Sequence, residues 1–184
     1  SCTSASACTA AGGYQNGSGT PFTLTERWNG TSWTIQRTTN PGTESNYLYG
    51  VSCASASACT AVGDKQPSSG RFVTLAERWN GTSWTTQATP NPSGPDTNIL
   101  SAVSCASASA CTAVGYYDES NAEPTAPFAE RWNGAAWTVQ TTPSPAGTDD
   151  SPLNGVSCTA ASTCTAVGDY QNGSGTYLTL AERE

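Results

Sequence analysis

Eight cysteines fall in four pairs with one spacing, Cys-x5-Cys: Cys2 and Cys8, Cys53 and Cys59, Cys105 and Cys111, Cys158 and Cys164. Thiols this close could do three kinds of chemistry. They could hold structural zinc, but such sites use shorter Cys-x2-4-Cys pairs, commonly with histidine, and the chain has no histidine. They could carry out redox catalysis, which uses Cys-x-x-Cys. Or they could be cystines, which suits an even count separated only by Ser, Ala and Thr. Disulfides Cys2–Cys8, Cys53–Cys59, Cys105–Cys111 and Cys158–Cys164 are therefore predicted, and with them a secreted, extracellular protein. A bond closing so short a loop contributes about 2 kcal/mol in the chain-entropy treatment.

Other reactive constellations are missing. Without histidine a Ser-His-Asp triad is excluded. The carboxylate pairs Asp118/Glu119 and Asp149/Asp150 fall in expected loops, and no Asp-x-Asp series suggests a calcium loop. The sequence therefore predicts no catalytic residue, no metal and no cofactor, and a protein that is not an enzyme. The net charge is −7, and no basic cluster offsets it, which argues against nucleic acid as a partner. No apolar run approaches the roughly 20 residues of a membrane span.

The cysteine pairs belong to a longer unit repeated about every 50 residues, with bounds near 1–49, 50–101, 102–154 and an incomplete 155–184. The second copy reads GVSCASASACTAVGDKQPSSGRFVTLAERWNGTSWTTQ. Four extended segments stand out in it: GVSC, CTAVG, TLAERWN and SWTTQ. Asn-Gly lies between the last two, as a hairpin turn requires. Four antiparallel strands in about 50 residues describe a propeller blade. Side-chain size agrees. Strands near a propeller axis are crowded and need Ser, Ala, Cys and Gly, whereas splayed outer strands need tryptophan as filler. The fold expected is an all-β propeller of four-stranded antiparallel blades, the last lacking its outer strand, with one disulfide per blade. It forms one domain or part of a larger ring.

The AVG ending of strand two and the ERWNGTSWT hairpin resemble kelch-type, galactose-oxidase-like blades. They are closer still to tandem repeats of secreted bacterial proteins with the pattern GVSC…CTAVG…LAERWNGTSWT. The resemblance implies the fold. It implies no activity, and the histidines of a galactose-oxidase-like copper site are missing.

Every copy carries Glu-Arg in its third strand: Glu26 and Arg27, Glu77 and Arg78, Glu130 and Arg131, Glu182 and Arg183. Neighbours on a strand point to opposite faces. Each glutamate is therefore expected to meet the arginine of the adjacent blade, since buried charges need partners. The six tryptophans are expected to fill wedges between blades. The sequons at Asn16, Asn29, Asn80 and Asn172 are all Asn-Gly, which already has a role in turns.

Blade geometry sorts the connections into two faces. The Cys-x5-Cys and Trp-x4-Trp turns make one plain, uniform face. The remaining loops vary and hold all the prolines and tyrosines, in or beside them. Tyr14, Tyr47, Tyr116, Tyr117 and Tyr170 are the binding residues this suggests, because tyrosine gives amphipathic contact at low entropic cost. The expected function is an extracellular binding module for a glycan or a surface protein. The alternative is an adhesive repeat that self-assembles at the cell surface, its ring completed by a second copy or by further chain.

Overall fold

The computed structural model describes residues 1–92, 97–118, 125–145 and 148–183. Within them the chain is built from strands alone. The first sheet comprises β1 (Cys2–Ser4), β2 (Ala7–Gln15), β3 (Pro21–Trp28) and β4 (Trp33–Gln36). The second comprises β5 (Ser45–Ser55), β6 (Ala58–Gln66), β7 (Val73–Trp79) and β8 (Trp84–Gln87). The third comprises β9 (Thr97–Ser107), β10 (Ala110–Asp118), β11 (Thr125–Trp132) and β12 (Trp137–Gln140). The fourth has β13 (Thr148–Asp150) and β14 (Leu153–Ala160) in line as one interrupted inner strand, then β15 (Thr163–Asn172) and β16 (Tyr177–Arg183). Every sheet is an antiparallel meander, and β5, β9 and β14 make the contacts that join sheet to sheet.

All four disulfides form within their own hairpins, as the spacing predicts. Each cysteine pair is also a cross-strand pair, for example Cys53 opposite Cys59. The two kinds of plain turn lie side by side. A Cβ on Gly30, Gly81 or Gly134 in the tryptophan hairpins would touch Ser6, Ser57 or Ser109 in the cysteine hairpins. These three glycines adopt φ of 96° to 98°, which other residues rarely reach. Asn29 and Asn80 accept backbone N–H bonds from the two residues closing the turn. Asn133 does the same in a turn without a sequon. The asparagine is thus held by its turn role.

The inner strands are longer than GVSC. Ser45–Leu48 and Thr97–Leu100, expected in connections, extend β5 and β9 across a bulge. The bulge explains the glycine of the repeated AVG. A Cβ on Gly63, Gly115 or Gly168 would run into the carbonyl oxygen of Tyr47, Ile99 or Pro152 on the bulged strand.

Three junctions of one design join the sheets. Thr9, Thr60 and Thr112 set their hydroxyls against the sulfurs of Cys59, Cys111 and Cys164 on the next sheet. Ser1, Ser52 and Ser104 accept the backbone N–H of Cys53, Cys105 and Cys158. Apolar packing fills the rest: Val62 and Ala76 of the second sheet lie under Trp132 and Trp137 of the third.

At Arg27 and Arg78 the expected glutamate–arginine pairing is not what forms. Arg27 donates to the Ala56 carbonyl and stacks 5.0 Å from the centre of the Trp79 ring. Arg78 donates to Ala108 and stacks 4.6 Å from Trp132. Glu77 instead accepts from the hydroxyl and backbone N–H of Thr39. The reason is depth. The Glu77 and Glu130 carboxylates are fully buried, while Arg78 stays partly exposed near the plain turns, where a carbonyl and an indole face are at hand. The tryptophans do fill wedges at the second and third sheets, where Trp79, Trp84, Trp132 and Trp137 are buried.

Among the described residues, no junction of this kind joins the first sheet to the fourth. The sheets form an arc with an uncovered face at either end.

Candidate functional site

The varied face is held by latches that repeat like the plain one. Thr38, Thr89 and Thr142 in the connectors donate to the carbonyls of Thr23, Thr74 and Pro127. Asn40 and Asn91 accept the backbone N–H of Thr23 and Thr74. Asn40 takes a φ of 52° to do so. The sequence reading missed these latches, although Thr-x-Asn-Pro recurs at 38–41 and 89–92.

On this pinned scaffold, tyrosines from the second and third sheets converge on one carboxylate. Tyr47 lies just before the bulge of β5 and Tyr49 within it, their rings stacked 6.1 Å apart and nearly parallel, at 10°. Tyr47 also packs over Gly13 of the first sheet, where a Cβ would stand 3.0 Å from its ring. Asp64 sits on β6 opposite Tyr47 and is buried. Burial pushes its carboxyl up to about 6, and the Tyr49 hydroxyl beside it offsets only part of this. The Tyr49 phenol is raised as well, first by burial and then by Asp64. Burial also raises Tyr116 on β10, with the charges of Asp64, Asp118 and Asp150 adding to it. The cluster therefore offers flat aromatic faces beside a carboxyl group poised between its charged and neutral forms.

The expected binding tyrosines do not all belong to it. Tyr47 and Tyr116 do. Tyr14 pairs with Phe22 across the first sheet, ring centres 5.7 Å apart. Tyr117 meets Phe128 edge-on at 6.1 Å and packs into the core of the third sheet. Tyr170 stands opposite Leu178 on the fourth sheet. Tyr49 and Asp64 were not singled out. Their signal lay in the second copy, where Asp64 directly follows the AVG glycine. Glu119 and the Asp149 side chain lie outside the described residues, as do parts of the loops around them.

A second concavity, a cleft of about 320 Å³, lies between the third and fourth sheets. Val114 and Ala129 line it, with Leu153, Ala166 and Glu182. At the preceding junction the equivalents of Val114 and Ala129, namely Val62 and Ala76, are covered by tryptophans.

No family model matches the chain, and no curated protein matches it. Among solved structures, it is similar to a fucose lectin from Kordia zhangzhouensis, determined in complex with methyl-fucoside. The TM-score is 0.44 and the identity 13%, covering 73% of this chain and 100% of that one.

Proposed function

We propose that the protein is a non-catalytic, extracellular binding module that takes a glycan on its varied face. The observation that carries this reading is the convergence of Tyr47, Tyr49 and Tyr116 on Asp64. Aromatic faces pack against the C–H side of a sugar ring, and the buried Asp64 carboxyl beside Tyr49 acts through the phenol hydroxyls that would meet the sugar's own. Four short-range disulfides suit secretion into an oxidising compartment. Tyr14 and Tyr170 extend the same face toward the first and fourth sheets. The resemblance of its repeats to kelch-type blades and to tandem repeats of secreted bacterial proteins fits a module that presents loops from a rigid frame.

A glycan array, followed by calorimetry on the best ligand, tests this. Circular dichroism of each variant serves as the folding control. Tyr49→Ala and Tyr116→Ala should each weaken binding by at least about tenfold. Because Asp64 titrates near pH 6, affinity should rise between pH 5 and 7 and lose that dependence in Asp64→Asn. Binding that survives both tyrosine changes, or no binding to any glycan, overturns the assignment.

A further inference from the structure

The two ends of the arc are uncovered, and they are not alike. On the first sheet the open face carries Leu24, Glu26, Trp28, Trp33 and Ile35. At the equivalent positions of the second sheet, Leu75, Glu77, Trp79 and Trp84 are buried under the first. Trp33 is 48% exposed and Ile35 68%. On the fourth sheet the open face carries Thr165, Val167, Thr179, Ala181 and Arg183. In the second sheet their equivalents, Thr60, Val62, Thr74 and Ala76, are buried under the third, and Arg78 reaches across to it. Val167 is 48% exposed where Val62 is 0%.

One end therefore presents the receiving half of a junction, and the other presents the inserting half. We infer that the fourth sheet of one copy docks on the first sheet of a second copy, head to tail, by repeating the internal junction. Arg183 would donate to the Ala5 carbonyl and stack on Trp28, as Arg27 does to Ala56 and Trp79. Thr165 would face Cys8, as Thr9 faces Cys59. Ser157 would accept the N–H of Cys2, as Ser1 accepts that of Cys53. Without a neighbour, the Ala5 carbonyl is taken by Trp28 of its own sheet. In the covered sheets the corresponding Trp79 and Trp132 nitrogens make no hydrogen bond, so docking exchanges one donor for another.

The contact is heterologous: each copy uses two different faces. It leads to rings or to linear chains according to the rotation between copies. It leaves the Asp64 cluster free, because neither face includes Asp64 or the tyrosines around it.

Two half-blocked variants test it. Ile35→Arg blocks the receiving face and Ala181→Arg the inserting face, both at exposed sites, with circular dichroism as the folding control. By sedimentation velocity from 1 to about 300 μM, the parent chain should assemble with concentration, and each variant alone should stay monomeric. Mixed in equal amounts, the two variants retain one intact face apiece and should form a dimer and nothing larger. Arg183→Ala should weaken parent assembly on the order of tenfold. A parent chain monomeric throughout overturns the inference. So does a mixture that stays monomeric, or assembly that neither substitution changes.

Discussion

The second and third sheets and the first and fourth are written in nearly the same residues, yet they live in different solvents. Leu75, Glu77 and Trp79 are buried between neighbours, while Leu24, Glu26 and Trp28 are only half covered. The difference teaches that a position in this repeat does not have a fixed energetic weight. Its weight is set by whether another sheet lies over it. The asparagine bonds of the tryptophan turns close within one sheet and should count equally in every copy, whereas Cys59, Cys111 and Cys164 also meet a threonine of the preceding sheet.

The largest effect expected from this contrast is at the tryptophans. Trp132→Ala opens a cavity in a filled junction and should cost about 3–5 kcal/mol by denaturant unfolding. In dilute protein Trp28→Ala should cost less than half of that. Under conditions where copies dock, the gap should narrow. Equal costs at all concentrations would break the contrast.

The next effect is pH dependence, and it belongs to the covered sheets. Burial pushes Glu130 up to about 8, the neighbouring Thr74 hydroxyl offsetting only part of it, and burial raises Glu77 too. The native state then holds a proton that the unfolded chain releases near pH 4.5. Stability from this source is full below that pH and is lost as pH rises to about 8, on the order of 5 kcal/mol. Thermal melts from pH 5 to 8.5 should show the fall. Glu130→Gln should flatten it most, and an unchanged slope in that variant would remove Glu130 as its origin.

Smaller effects should depend on coverage less. Replacing Cys2 and Cys8 by alanine should remove about 2 kcal/mol, and replacing Cys53 and Cys59 more, because the loop closed is the same but Cys59 is also buried in a junction. Asn80→Ala and Asn29→Ala each delete two hydrogen bonds within a turn and should cost about 1 kcal/mol alike. Equal costs for the two cystines, or a marked difference between the two asparagines, would break this ordering.

These contrasts also mark how far the sequence could be read. Contacts that close within a few residues were legible: the cysteine hairpins, the Asn-Gly turns, the four strands and the division into plain and varied faces. What escaped depends on the third dimension. Tyr47 and Tyr49 look like loop residues because SNYLY has no clean alternation, but the bulge opposite Gly63 carries the strand through them. The glutamate–arginine pairing failed because adjacency in sequence does not report depth. The carboxylate lies deep in the junction, and the guanidinium finds a carbonyl and an indole near its rim. Asp64 gave no signal of burial, because a lone aspartate after glycine usually means an exposed turn.

The short reach of the disulfides has a consequence for how the protein is made. Eight cysteines can be paired in roughly a hundred ways. Here every partner lies six residues away along the chain. Each bond can close as soon as its own hairpin forms, before the next cysteine pair has been added to the chain. Where thiols are oxidised, pairing can then keep pace with chain growth, one blade at a time. A chain of such units could grow longer or shorter by whole repeats without ever meeting a pairing problem.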